Sequence, residues 1–120
     1  MQQYRLNLKI GLILKFKIMS IEKKLSVKNG VCKVTFKLPS SIAETAKTAK
    51  VVGEFNNWDP AGIPMKKTKK GQFATSLDLP SNNRFEFRYL VDETNWETDF
   101  EADDLAPIPF GDEYNSVVKV

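Results

Sequence analysis

The sequence has no histidine and only one cysteine, Cys32, among its 120 residues. Without histidine, the chain cannot build a Ser-His-Asp or Cys-His nucleophilic centre or a histidine-ligated metal site. One cysteine excludes an internal disulfide and a thiolate metal cluster, and it fits a protein of the reducing cytoplasm. Because Cys32 lies in an alternating segment, we expect a small core or surface residue rather than a reactive thiol.

Long apolar runs are also missing. The longest run in the N-terminal stretch covers residues 10–14, far too short to span a membrane. Lys15 and Lys17 interrupt the place of a signal-peptide core, and no small-residue cleavage site follows. The sequence predicts that residues 1–18 are a disordered or mis-assigned extension, with an amphipathic membrane-surface segment as the alternative. Residues 19–120 are predicted to form one domain.

An excess of charge is absent once this extension is set aside. The formal net charge is +3, but residues 1–18 contain four basic residues and no acidic ones. The remainder has 14 basic residues against 15 acidic ones, a net charge of −1. A nearly neutral domain gives no electrostatic reason to expect a nucleic-acid partner.

Apolar and polar residues alternate from residue 31 onwards, which is typical of half-buried strands. The clearest examples are VCKVTFKL, residues 31–38, and RFEFRYLV, residues 84–91. The second segment directs Phe87 and Tyr89 inward and Arg88 outward. About seven such strands, with turn signals every ten or so residues and almost no helix, predict an all-β fold. The expected architecture is an immunoglobulin-like antiparallel β-sandwich.

Two further local features are predicted. Ser41 and Glu44 have the spacing of a capping box, which would start a helix of one or two turns. Met65 would lie in a short strand that precedes a lysine-rich turn. That turn contains Lys66, Lys67, Lys69 and Lys70. We interpret these lysines as solvating side chains, with phosphate binding as the alternative.

Residues 92–113 contain nine acidic residues and no basic one. A solvated acidic loop is the plain interpretation, and a calcium site is the alternative, although the spacing does not match an EF-hand loop. A pair of catalytic carboxylates would need a deep cleft, for which a sandwich of this size has little room. The sequence therefore predicts a protein that is not an enzyme and needs no cofactor or metal.

Two tryptophans beside turns point instead to a binding site. Trp58 follows Asn56-Asn57, and Trp96 follows Asn95. A flat indole packs well against the C–H face of a sugar ring, and two set at an angle would hold a curved α-glucan chain. Arg88 on a neighbouring strand and Asn115 before the last strand would supply hydrogen bonds to the hydroxyl groups.

Four segments, VVGEFNNWDP, PMKK…GQFATSLDLP, FEFRYLVD…NW and GDEYNSVVKV, occur in that order. Together they resemble the glycogen- and starch-binding module of the AMP-activated protein kinase beta subunit and of isoamylases, pullulanases and branching enzymes. The resemblance implies an immunoglobulin-like sandwich that binds α-1,4-glucan such as glycogen, starch or maltooligosaccharide without catalysis. It also implies that Trp58 and Trp96 stack on the sugar and that Arg88 and Asn115 bond its hydroxyl groups. Gly53 would be structural.

The chain departs from the family pattern in three places. Arg88 replaces a lysine, the loop of residues 92–96 is one residue longer, and Phe110 and Gly111 stand where the family has a sugar-piercing leucine. The family sandwich often docks against an enzyme or kinase. A second interpretation is therefore a scaffold domain that binds a glycan-metabolising enzyme or kinase and has a vestigial sugar site.

Overall fold

A computed structural model describes residues 20–26, 29–109 and 111–120 of the chain. The predictions for residues 1–18 lie outside these described residues. Within them the chain forms ten strands and one α-helical turn, α1, at Ser40–Ala43. The strands are β1 Ile21–Ser26, β2 Val31–Lys37, β3 Ala49–Gly53, β4 Ile63–Pro64, β5 Lys66–Lys67, β6 Phe73–Pro80, β7 Arg84–Val91, β8 Asn95–Glu97, β9 Asp104–Pro107 and β10 Tyr114–Lys119.

The strands form two antiparallel sheets. The first sheet has the order β1-β2-β6-β5, and the second has the order β4-β3-β7-β10-β9, with β8 also paired to β7. The two sheets enclose a common core. This is the predicted all-β, immunoglobulin-like β-sandwich, and the alternating apolar pattern of β2, β6 and β7 is the physical reason for it.

Aromatic rings occupy the centre of the core. Phe36 of β2 meets Phe87 of β7 at a ring-centroid distance of 5.0 Å, and Phe87 meets Tyr89 at 5.5 Å. Both contacts are edge-on, the arrangement that ring quadrupoles favour. Phe87 and Tyr89 are fully buried, which confirms the inward face predicted for β7, and Phe36 of the alternating strand β2 is fully buried as well. Cys32 is a buried free thiol in the same core cluster.

The sequence did not predict the edge strands β1 and β9, because apolar and polar residues do not alternate in either. In β1 Ile21 is buried, and the five residues after it are exposed. β9 lies at the edge of the second sheet and ends in Pro107, a residue that an edge strand tolerates. Charged residues and proline at sheet edges prevent further strand pairing. These two segments have that composition instead of the alternating pattern from which strands are predicted.

The segment around Met65 and the helix also differ from the predictions. Buried Met65 lies between two short strands that belong to different sheets, so the chain changes sheet at this residue. The helix begins after Pro39, with no side-chain capping bond, so the predicted Ser41–Glu44 capping box is wrong. The Pro39 carbonyl accepts hydrogen bonds from the Ile42 and Ala43 amides instead.

Candidate functional site

The outer face of the second sheet carries an apolar layer that is separate from the core. The register places Val52 opposite Arg88, Leu90 opposite Trp96, and Val117 opposite Glu86. Val52, Leu90 and Val117 are all buried, yet they lie on the face that points away from the core cluster. Cross-strand neighbours on one sheet face lie side by side, so Arg88 and Trp96 are next to this apolar layer.

Trp58 lies in a loop that leaves the end of β3. Residues Glu54–Asn56 form a 3-10 turn, and Asn57 and Trp58 both have φ of 57°, in the left-handed region. The Trp58 amide donates to the Gly53 carbonyl at 2.9 Å. A bulky residue in this region costs roughly 1–3 kcal/mol, so the surrounding contacts must hold the loop in place.

Asn56 makes two of these contacts. Its Oδ1 accepts a hydrogen bond from the Gly53 amide at 2.9 Å, and its Nδ2 donates to the Asp59 carbonyl at 3.1 Å. Asp59 Oδ1 in turn accepts from the Ala61 amide at 2.9 Å. Short polar side chains that bond the nearby backbone are the ordinary means of fixing a tight turn. The polar residues around Trp58 thus determine where the indole is presented.

Gly53 has a structural role that does not come from an unusual backbone angle. Its φ is −170°, an extended conformation that any residue adopts. A Cβ atom at this position would lie 2.5 Å from the Glu86 carbonyl oxygen and 2.7 Å from Phe87 Cβ. Phe55, in the middle of the 3-10 turn, packs against the core beside Phe36. Close approach of β3 and β7 therefore explains the glycine.

Trp96 lies on β8, the return strand of a hairpin from β7, and is 41% exposed. Asp92 anchors the hairpin turn because its Oδ1 accepts from the Lys47 and Thr48 amides at 2.7 and 3.0 Å. These two hydrogen bonds lower the pKa of Asp92. At the other end, Thr98 Oγ1 donates to the Tyr114 carbonyl at 2.7 Å. Trp96 is thus held between two anchored ends.

Arg88 and Asn115 lie on adjacent strands between the tryptophans. The Arg88 side chain is 14% exposed, and its Nη2 donates to Glu113 Oε1 at 2.5 Å. Its Nε is buried and has no hydrogen-bond partner among the described residues. Asn115 Nδ2 donates to Glu86 Oε1 at 3.0 Å. Glu113 and Glu86 therefore orient the two polar groups.

All four predicted site residues line one shallow cavity of about 260 Å³: Trp58, Arg88, Trp96 and Asn115. Trp58 is half-buried, and the cavity is open to solvent. The sequence interpretation brought forward the residues that touch the cavity but missed Glu86, Glu113 and the buried Leu90. The alternation of β7 already placed Glu86 on the outer face, which was the available signal for it.

The structure describes only one of the two residues that stand where the family has a leucine. Phe110 lies outside the described residues, and Gly111 has φ of 79°. The hairpin loop between β7 and β8 contains Asp92 and Glu93, both with positive φ. That it is one residue longer than the family loop stays a prediction. Lys50 Nζ and Glu93 Oε1 pair at 2.8 Å across it.

The acidic segment is not uniformly solvated. Asp99 is fully buried, where it accepts hydrogen bonds from Ser20 Oγ at 2.5 Å and from the Tyr89 hydroxyl at 3.0 Å. Burial raises the pKa of Asp99 despite these bonds, and burial together with Asp99 raises the pKa of Tyr89 well above its ordinary value. The sequence predicted a solvated acidic loop because no local feature distinguishes Asp99, which is buried, from the acidic residues around it.

The geometry gives little support to the alternative calcium and phosphate sites. In residues 20–26, 29–109 and 111–120, no group of three or more acidic or cysteine side chains is placed to hold a metal ion. The four lysines of the predicted turn are exposed, and Lys67 lies over the Phe73 ring at 5.6 Å. No helix in the described part of the chain has the length and hydropathy needed to cross a membrane.

A sandwich with two aromatic side chains and two polar ones on an open face has the form of a ligand-binding module. Residues 26–106 match carbohydrate-binding module 48, described as the isoamylase N-terminal domain. The chain belongs to this family of carbohydrate-binding modules, which confirms the resemblance found in the sequence. A comparison with curated proteins found no significant match. The family is one of binding modules rather than catalytic domains.

Proposed function

We propose that this chain binds α-1,4-glucan, such as glycogen, starch or maltooligosaccharides, at the cavity lined by Trp58, Arg88, Trp96 and Asn115. The observation that carries the proposal is that these four side chains, distant in sequence, share one open cavity. Family membership supports a carbohydrate as the ligand. The indoles supply apolar surfaces for the faces of glucose rings, which bury area without losing much side-chain entropy.

The polar groups of the cavity supply the remaining interactions. The Arg88 guanidinium has five N–H donors, of which one bond goes to Glu113. Asn115 keeps an amide oxygen and a second N–H after its bond to Glu86. Neutral sugar hydroxyls both donate and accept, so a charged donor fork and an amide complement them. Because Glu113 and Glu86 pre-orient these groups, less conformational entropy is lost on binding.

We infer that the site binds rather than transforms its ligand. None of its four lining residues is a carboxylate, and glycoside hydrolysis needs two. A cytoplasmic location is also part of the proposal, supported by the single, buried, free cysteine. Docking onto a glycan-metabolising enzyme or kinase remains the alternative function, in which the sugar site would be vestigial.

The test is a titration with maltoheptaose or β-cyclodextrin, followed by tryptophan fluorescence and by calorimetry. We expect saturable binding to the wild-type chain. Trp58→Ala and Trp96→Ala should each weaken it about tenfold, equivalent to about 1.4 kcal/mol. In each variant the remaining tryptophan still reports on the cavity.

Phe100→Ala is the matched control, because Phe100 is an exposed aromatic residue that does not line this cavity. It should leave the affinity unchanged. Absence of a saturable signal at millimolar sugar would reject glucan binding and favour the docking alternative. Equal losses in Phe100→Ala and the tryptophan variants would show that binding does not use the proposed cavity.

A further inference from the structure

A second cavity, of about 230 Å³, lies between α1 and the segment that follows β8. Pro39 and Ile42 line one side of it, and Glu97, Phe100 and Glu101 line the other. We name it the Phe100 cavity. It shares no lining residue with the cavity that contains the tryptophans. The proposed sugar site therefore does not account for it.

Phe100 is 71% exposed, the largest exposure among the large hydrophobic residues that the structure describes. Its neighbours fix it there. Asp99 is buried, and Asp99 Oδ1 accepts a hydrogen bond from the Glu101 amide at 2.9 Å. The Ala102 amide also donates to the Asp99 carbonyl at 3.3 Å. A short turn anchored in the core thus presents an aromatic side chain to solvent, where an apolar residue gains nothing unless something covers it.

The negative charge of this surface has no counterpart among the residues that the structure describes. Most acidic side chains of residues 92–113 have a partner: for example, Glu93 pairs with Lys50, Asp104 with Lys119, and Glu113 with Arg88. Glu97 and Glu101 have neither an ion pair nor a side-chain hydrogen bond to any described residue. Phe100, Glu97 and Glu101 therefore present one apolar face and two negative charges that no described residue pairs with.

The surroundings of Glu101 also favour an incoming cation. Partial burial and the nearby Asp99 raise its pKa, so its charged form is less stable than that of a freely solvated glutamate. A cation beside it would relieve that cost. Glu101 therefore has more to gain from an incoming positive charge than an ordinary surface carboxylate.

We propose that the Phe100 cavity is a protein-docking surface that receives an arginine or lysine side chain from a partner protein. The aliphatic stem of such a residue would pack against Pro39 and Ile42. Its charged end would lie against the Phe100 ring and pair with Glu97 and Glu101. A neutral sugar would leave both carboxylate charges uncompensated, so the chemistry favours a cationic side chain. This inference does not depend on glucan binding.

The test uses the full chain and two labelled probe peptides, one with three arginines separated by leucine and glycine, the other with glutamates replacing the arginines. Backbone amide shifts in NMR spectra would be followed during each titration. We expect the arginine peptide to shift the amides of Thr98, Phe100 and Glu101 saturably and to leave those of Trp58 and Asn115 unchanged. The glutamate peptide should produce no shift.

Three variants make the test specific. Phe100→Ser, Glu97→Gln and Glu101→Gln should each weaken peptide binding about threefold, since each removes one contact with the cationic side chain. Asp112→Asn is the matched control, because it removes one charge from the same acidic segment outside the cavity, and it should change nothing.

Several results would overturn the proposal. They are the absence of saturable shifts, equal weakening by Asp112→Asn, and shifts spread over all acidic residues, which would show nonspecific attraction. Displacement of the peptide by maltoheptaose would instead make the Phe100 cavity a sugar site. Arginine-peptide binding by a chain that fails to bind glucan would support this proposal while rejecting the proposed function.

Discussion

Trp58 and Trp96 reach the same cavity by different structural means. Trp58 lies in an irregular loop with a left-handed backbone, fixed by hydrogen bonds within residues 53–61. Trp96 lies on a regular paired strand, opposite Leu90, in a hairpin anchored at both ends. The first position depends on a few tight local contacts, and the second depends on contacts with distant parts of the chain. Substitutions can therefore disturb the two halves of the cavity separately.

The largest effect should come from Gly53→Ala, which acts on the Trp58 loop. The new methyl group would press on the Glu86 carbonyl and on Phe87, both of which belong to the central strand β7. We expect a loss of about 3 kcal/mol in the free energy of unfolding, measured by chemical denaturation. The Gly53 carbonyl also accepts the hydrogen bond of the Trp58 amide, so Gly53→Ala should weaken glucan binding as well as stability. A substitution that causes equal strain far from Trp58 should weaken glucan binding less.

Gly71→Ala is the control for this variant. Gly71 has φ of 81°, but a Cβ there would have no neighbour within 4 Å. We expect a loss of about 1 kcal/mol from backbone strain alone. If Gly53→Ala lowers the free energy of unfolding no more than Gly71→Ala does, the close approach of β3 and β7 is not the reason for glycine at position 53.

The next effect should come from Asp99→Ala, which acts on the Trp96 side. The buried hydroxyls of Ser20 and Tyr89 would lose their carboxylate partner, and the turn that carries Phe100 would lose a hydrogen bond. We expect the free energy of unfolding to fall by about 2 kcal/mol. Asp112→Ala removes the same charge from an exposed position and should change stability by less than about 0.5 kcal/mol. Equal effects of the two variants would contradict a structural role for the buried carboxylate.

The same contrast shows how far the sequence predicts this molecule. The alternation of β7 correctly predicted Phe87 and Tyr89 in the core and Arg88 on the outer face, because a buried face imposes a period of two. Two tryptophans beside turns, an outward arginine and an asparagine before the last strand were also brought forward by the sequence, and the four share one cavity, although their role with sugar stays a prediction. The alternating pattern therefore predicts which side chains point inward wherever one face of a sheet is buried.

Tertiary contacts explain what the sequence did not predict. The reason for Gly53 lies in the distance to another strand. The burial of Asp99 depends on Tyr89 of β7 and on Ser20, which lies 79 residues away in the sequence. The Phe100 cavity joins two segments more than fifty residues apart. No local period carries information of this kind, so these features emerge only when the chain is folded.

The smallest effect should come from Asp92→Asn at the turn of the Trp96 hairpin, and it should depend on pH. Two backbone amides lower the pKa of Asp92 in the folded chain, below the value of about 3.9 of an unfolded one. A lowered folded pKa gives stability that is present above the unfolded pKa and is lost as the pH falls through the folded pKa. The stability difference between wild type and Asp92→Asn should therefore be largest near neutral pH and disappear at low pH. Denaturation measured at several pH values checks this, with Asp112→Asn as the flat control. A difference that stays constant with pH would mean that the amides bond the neutral side chain equally well, and the hairpin anchor would then not depend on charge.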